Sequence, residues 1–327
     1  VIWRKGAAFV VGRLLLAVPV VLTIVALNFF LLQLAPGDAA DVLAGEAGSA
    51  TPEFMAQLRQ KFGLDQPVSM QLLLYIKQVF TFDLGYSFRH SMSVSDLILT
   101  RLGPSLLLML TVFFVAIVFG VTLGSLAARN LNQWKDRMIS LLTVMAYATP
   151  VFWAGLMLIV VFSIKLGWFP TSGMQQVAAF HEGWAKVFDI AHHLVLPALT
   201  LSLFYLALYT RLMRASVLEQ FSMDYVVTAR AKGLTETQIA YRHVLRNAIL
   251  PVVTMAGVQA GGLLGGAVVV ETVFAWPGLG LLAYEALFSR DLNLLLGIFF
   301  ISTCLVVLVN LIVDLAYSLL DPRIQLR

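Results

Sequence analysis

The chain has 327 residues, 60% of them hydrophobic and only 12% charged, with a mean hydropathy of +0.87 and a formal net charge of +4. Such a chain is too apolar to be an ordinary soluble globular protein, and length alone, which would suggest about two domains, is a poorer guide than its solvent. Its one cysteine, Cys304, rules out an intrachain disulfide.

Six stretches free of Asp, Glu, Lys and Arg are long enough to cross a bilayer: 14–37, 102–128, 138–164, 190–210, 247–270 and 292–313. A hydrocarbon core of about 30 Å needs about 20 apolar residues per helix, and a central Asp, Lys or Arg costs about 2.5–3.5 kcal/mol to insert. The sequence therefore predicts an all-α, polytopic membrane protein with six transmembrane helices. With the N-terminus in the cytoplasm, 14 Lys and Arg fall in cytoplasmic segments and 8 in external ones, while 5 acids fall inside and 12 outside. The positive-inside rule then puts both termini in the cytoplasm, which accounts for the basic balance without nucleic-acid binding.

In chain order, Arg4, Lys5 and Arg13 precede the first apolar run, which is too long for the apolar region of a signal peptide and reads as a retained helix. Residues 1–37 form this N-terminal segment and first span, ended by "LAPGDAA". Residues 38–101 form an external, periplasmic helical segment. In it, "TPEFMAQLRQKFG" has Thr51 as N-cap, Pro52 at the first helical position and Gly63 beyond the end. Phe54, Leu58 and Phe62 share one face of that helix, which lies against protein or the membrane surface. A second apolar helix spans about Val68 to Phe80, followed by the turn-like "FDLGYSFRHS". Residues 102–327 form the core domain with the remaining five spans.

Gly120 and Gly124 in the second span are spaced for close helix packing. His192 and His193 stand at the mouth of the fourth span, and no histidine lies in the membrane core. The cytoplasmic loop 214–250 carries "TARAKGLTETQIAYRHVLRNAILP", with Arg230, Lys232, Arg242 and Arg246 against one acid, Glu236. Its local grammar is specific. Gly233 ends one helix; Thr235 and Gln238 form a capping box for the next, with Leu234 and Ile239 as a hydrophobic staple. Tyr241, Val244, Leu245 and Ala248 are expected on one apolar face, Arg242 and Arg246 on the other, and a break is expected before Pro251. A lipid-binding amphipathic segment needs no bend fixed in this way; a lever working against another protein does.

The fifth span holds Gly257, Gly261, Gly262, Gly265 and Gly266. These glycines serve helix packing, and the smooth face around Gly261, Gly262 and Gly265, with Glu271 at its end, is a candidate translocation pathway or external gate. "ETVFAWPGLG" follows at the external interface, with Trp276 as a headgroup anchor. Asp314, in the sixth span near the cytoplasmic face, reads as paired or snorkelling.

The chain contains no Walker A sequence and no H-E-x-x-H, and "GYSF" at Ser87 reads as a turn. Neither catalysis nor a metal site is expected.

"DYVVTARAKGL…RHVLRNAILPVV" closely resembles the cytoplasmic loop of ABC importer membrane subunits, of the dipeptide, oligopeptide and nickel branch. "LAPGDAA", "KFGLDQPVSMQLLLYI", "FDLGYSFRHSMSV", "MAYATPVFWAGLML", "GGAVVVETVFAWPGLG" and "NLIVDLAYSLLDPRI" look like further stations of that branch, so the resemblance covers nearly the whole chain. It departs from the wider pattern at Val227, where a glutamate is usual, and at Phe82 and Met92.

The resemblance implies a type I-like importer membrane domain in the bacterial inner membrane, forming half of a di- or oligopeptide pathway by alternating access. Tyr225, Thr228, Ala229, Arg230, Ala231, Lys232, Gly233 and Leu234 would make the coupling helix and its bend, docked on a separate ATPase. It further implies a second homologous permease subunit, two ATP-binding subunits that hold ATP and Mg, and an extracytoplasmic substrate-binding protein. "LDPR" and the long first external segment look like the first of a heterologous pair. This chain itself would carry no cofactor. The alternative is an ion-gradient-coupled secondary transporter, which midplane acids would favour; an intramembrane hydrolase or a passive anchor explains less.

Overall fold

Proline placement explains the first surprise of the structure, a computed structural model that describes residues 2–34, 56, 60, 65–87 and 89–320. The apolar stretch 138–164 is two helices and not one continuous rod. The first spans Trp134–Ala148, its successor starts at Val151, and the two are bent by 107°. Thr149 is extended (φ −81°, ψ 126°), as a residue before proline prefers, and Pro150 sits at the N-cap of the next helix, where its missing N–H is not needed.

The order is α1 (Ile2–Leu34), α2 (Val68–Phe80), a hairpin of β1 (Tyr86–Ser87) and β2 (Met92–Ser93), α3 (Val94–Arg129), α4 (Trp134–Ala148) and α5 (Val151–Leu158), which continues as a π-helical segment Ile159–Lys165. There follow α6 (Gly183–Phe221), α7 (Asp224–Ala231), α8 (Glu236–Ile239), a second π-helical segment Ala240–Val244, α9 (Leu245–Ala260), α10 (Leu263–Val273), α11 (Leu279–Ser289) and α12 (Leu292–Leu320). The hairpin is antiparallel, with Tyr86 opposite Ser93 and Ser87 opposite Met92. The helix expected over 51–63 lies outside the described residues except at Ala56 and Gln60, both helical; of "LAPGDAA" and "LDPR" only Leu34 and Leu320 lie within them.

Among the described residues, three helices are long and apolar enough to cross a membrane: α3, α6 and the Leu292–Val313 part of α12. Counting each bent pair as one span makes five, and Leu15–Leu31 of α1 is a further, shorter apolar stretch. The second bent pair turns by 70° after α9, at Gly261 and Gly262, which moves the break expected at Pro251 ten residues along. Helix α9 runs straight through Pro251. The ring removes one ladder hydrogen bond, but the buried stripe Ala240, Val244, Ala248, Val252, Ala256 and Ala260, one residue every four, holds the helix in place. Prolines within apolar helices are tolerated where packing compensates in this way.

The described residues form two compact units. One takes the residues up to Thr100 with Ala283–Leu308; the other takes Arg101–Leu282 and the described part of 309–325. The second has a continuous buried core from Leu108 through Tyr209 and Met213 of α6, Val226 and Ala229 of α7, and the α9 stripe to Phe274 and Trp276. Trp276 is therefore no headgroup anchor. It is 0% exposed, and its indole N–H donates to the Pro104 carbonyl at 2.9 Å, because the turn after α10 folds the ring inward.

The glycines of α3 make its crossing with α6 unusually close. A Cβ on Gly124 would stand 2.5 Å from the Thr210 carbonyl oxygen and 3.0 Å from the Arg214 nitrogen; one on Gly120 would stand 2.7 Å from Tyr209 Cβ. Backbone cannot step aside as a side chain can. Gly124→Ala is expected to destabilise by about 1–3 kcal/mol, read as a lower melting midpoint in detergent. Gly265→Ala, where a Cβ meets nothing within 4 Å, should be near neutral in the same assay.

Candidate functional site

Helix α7 and the bend after it are built by local rules that the residues satisfy completely. Gly233 has φ +79°, in the left-handed region. Its N–H donates to the Arg230 carbonyl at 2.9 Å and that of Leu234 to the Ala229 carbonyl at 3.3 Å, the paired bonds of a Schellman motif. Two residues later the capping box is complete: Gln238 N–H donates to Thr235 Oγ1 (3.3 Å), and Thr235 N–H donates to Gln238 Oε1 (2.9 Å). Leu234 packs on the core that contains Ile239, as a staple requires.

Across the bend, Arg230 Nε donates to Glu236 Oε1 at 2.6 Å and Nη2 to Oε2 at 3.2 Å. The guanidinium holds the Glu236 carboxyl below its ordinary value. A depressed carboxylate stabilises the fold above its unfolded pKa and loses that contribution as pH falls through the folded one. The brace should therefore be intact at neutral pH and released in acid, which hydrogen exchange at the Gly233 and Leu234 amides can follow. Of the sequence-chosen residues, Ala229 is buried, Tyr225 and Leu234 are half-buried, and Thr228, Arg230, Ala231, Lys232 and Gly233 are exposed. Val226 and Ala229 root α7 in the core beside Met213 and Val217 of α6; Val227, 62% exposed, presents an apolar side chain on the outer face.

Tyr241 is not on the buried face. It is 62% exposed, because the π-helical segment Ala240–Val244 inserts extra backbone and brings Ala240 into the buried line in its place. Its hydroxyl instead accepts from Arg129 Nη1 at 3.1 Å, with the guanidinium 5.3 Å from the ring centroid.

Sequence reasoning missed a neighbouring ion pair. Asp136 in the first turn of α4 is buried and accepts from Arg214 Nε (2.7 Å) and Nη2 (2.9 Å), and from the Asn132 N–H (3.0 Å). The available signal was a lone acid in the short basic connection 129–137. This fork ties the start of α4 to α6.

The second group of candidates is not gathered into one place. Gly261, Gly262 and Gly265 lie at and just after the bend between α9 and α10, with Gly262 and Gly265 exposed. Glu271 is 0% exposed and fully engaged. Ser105 Oγ donates to its Oε1 at 2.6 Å, and the Gly280 and Leu281 amides donate to Oε2 at 2.7 and 3.0 Å. Ser105 Oγ in turn accepts from the Leu279 amide at 2.7 Å, so the first-turn N–H groups of α11, which no helix can satisfy itself, are all supplied. A Cβ on Gly278 would collide with the Glu271 carboxylate, and one on Gly280 would stand 2.6 Å from Val268 Cα. The side chain of Asp314 lies outside the described part of the structure. Among the described residues no group of three or more His, Cys, Asp or Glu is placed to hold a metal ion.

Comparison with known proteins gives a consistent result. The model of the "Binding-protein-dependent transport system inner membrane component" family matches residues 120–326, and the model of its N-terminal region matches residues 7–110. A putative peptide permease protein of Brucella ovis is 41% identical over 314 residues, covering 96% of this chain and 97% of the relative. The oligopeptide transport system permease protein AppB of Bacillus subtilis is 38% identical, covering 98% and 99%. The glutathione transport system permease protein GsiC of Escherichia coli is 38% identical, covering 97% and 98%. Among solved structures, an inward-facing MetNI methionine ABC transporter chain matches with a TM-score of 0.55 at 18% identity, over 69% of this chain and 96% of that one. That likeness concerns the fold: the helical core is that of ABC importer membrane domains. With a family model matching its larger part and relatives aligned along nearly its whole length, the chain belongs to the binding-protein-dependent transport system inner membrane components, the permease subunits of ABC importers.

Proposed function

We propose that this chain is a membrane subunit of an ATP-driven importer of di- and oligopeptides in the bacterial inner membrane, and that α7 with its bend is the lever through which a separate ATPase drives it. The observation that carries the reading is the fixed geometry at Gly233. A Schellman turn, a capping box and an ion pair hold α7 against α8, while the buried face of α7 joins the same core as α6 and α9. A push on Thr228, Arg230, Ala231 or Lys232 would therefore be passed to the long helices and not absorbed locally. Peptide cargo is supported by the names of the relatives.

In this reading the chain has six spans with both termini in the cytoplasm, the loop 214–250 faces the ATPase, and residues 38–101 serve the external side. Two ATP-binding subunits hold ATP and Mg. A second homologous permease subunit completes the pathway, and an extracytoplasmic binding protein delivers the peptide. Gly261, Gly262 and Gly265 lie along the half of the pathway supplied by this chain, which alternates between outside and inside.

The test is mild-detergent purification of the tagged chain from its native membrane, with mass spectrometry of its companions. Recovery of an ATP-binding subunit and a second multi-span subunit is expected. Val227→Asp combined with Lys232→Glu should lose the ATPase and keep the second membrane subunit. Recovery of the chain alone, active in uptake driven by an ion gradient, would overturn the proposal.

A further inference from the structure

Helix α2, expected from sequence to belong to an external cap, pairs with α1 in a register that reaches well below the end of the span. Gln33 Nε2 donates to Gln71 Oε1 at 2.8 Å; the rings of Phe29 and Tyr75 have centroids 5.9 Å apart; Val25 and Val79 share one buried cluster with Phe300. Each step is four residues back along α1 and four forward along α2. The two helices are therefore antiparallel, and Val79 lies about 12 Å below Gln33 along the axis of α1.

Two rulers fix the level of Gln33. After Arg13, α1 carries no charge, and about 20 residues of span bring it to Gln33. Helix α12 gives the same answer independently. Asn28 Nδ2 donates to the Leu296 carbonyl at 3.4 Å and Phe300 meets Val25, so Gln33 stands level with the start of α12, beside the charges Arg290 and Asp291. Phe300 is eight residues inside the apolar stretch Leu292–Val313, and the C-terminal end of α2 is beside it, with Phe82 also 6.4 Å from the Phe300 ring.

A backbone that turns at such a depth needs partners for its polar groups, and six of those in this turn have them within the protein. The N–H groups of Thr81, Phe82 and Asp83 donate to carbonyls of Lys77, Gln78 and Val79. The Gly85 N–H donates to Asp83 Oδ1, while the Phe82 and Gly85 carbonyls accept from Ser95 Oγ and the Val94 N–H. The outer face of α2 carries Met70, Leu73, Leu74 and Phe80, with Leu73 62% and Phe80 52% exposed; Leu27, Phe30 and Leu31 of α1 are exposed too. Lys77 lies on this same face. Helical side chains lean toward the N-terminus, here the water side, so its ammonium can snorkel up to the headgroups.

From this register we infer that α2 is a re-entrant helix whose outer face contacts the acyl chains of the outer leaflet. The inference rests on α1 being a membrane span, and the test separates the two. In the Cys304→Ser background, nitroxide labels are placed singly at Leu73, Phe80, Leu27 and Arg89, and the assembled transporter is reconstituted in phosphatidylethanolamine–phosphatidylglycerol vesicles. Collision with oxygen is compared with collision with aqueous nickel chelate. Leu73 and Phe80 should show an oxygen-to-nickel ratio several-fold above that of Arg89 in the hairpin turn, with Phe80 deeper than Leu73 by about 10 Å. Nickel-rich collisions at Leu73 and Phe80 would place α2 in water and overturn the inference. Low collision with both reagents would mean that another protein subunit covers this face, which also overturns it. An oxygen-rich Leu27 label in either case leaves α1 as a span; a nickel-rich one removes the span itself.

Discussion

Gly233→Pro is expected to abolish ATP-driven uptake while the chain still inserts and accumulates normally. Residue 233 must hold φ near +79° and must donate to Arg230, and proline, locked near −65° without an N–H, can do neither. No atom crowds the site, so backbone geometry alone is changed. A graded series separates lost coupling from lost folding. Gly233→Asn should keep most activity, since asparagine enters the left-handed region readily, and Gly233→Ala should fall between, with a strain of about 1 kcal/mol. Uptake and ATP hydrolysis by the assembled transporter in proteoliposomes are the readouts. Normal uptake by the proline variant at normal abundance would end the lever reading. Reversing charge at Arg230 is a less clean probe than it looks from sequence, since that guanidinium also braces the bend through Glu236; Lys232→Glu is the better single change.

Glu271→Ala should be the most destabilising single substitution at the candidate sites. It strips the Gly280 and Leu281 amides and the Ser105 hydroxyl of a buried acceptor together. At about 1–3 kcal/mol for each group left unpaired and with partial relaxation, a loss of about 3–5 kcal/mol is expected, seen as poor recovery of folded protein from detergent. Glu271→Gln keeps an oxygen for the two amides and should recover most of that stability. The same variant decides between two roles. Uptake preserved with glutamine assigns Glu271 to holding the start of α11; uptake lost with the fold intact assigns its charge to the pathway or gate.

The sequence determined the features whose cause is local. The capping box at Thr235 and Gln238, the left-handed glycine at 233 and helix α2 from Val68 to Phe80 depend on residues a few positions apart, and each is found where the spacing puts it. Apolar length likewise announced membrane helices. Tertiary structure decided everything that depends on what lies opposite. Pro150 ends a helix and Pro251 does not, although both follow residues able to extend, because a buried stripe of small side chains holds α9 on course. Trp276 stands at the external interface in the sequence and is expected there as a headgroup anchor; the turn folds inward, and the indole finds its acceptor at Pro104, 172 residues away. Asp136 and Arg214, 78 residues apart, meet for the same reason. Spacing along a chain predicts neighbours on one helix; only packing between helices selects which side chains leave the lipid, which are buried and which acceptor each buried donor finds.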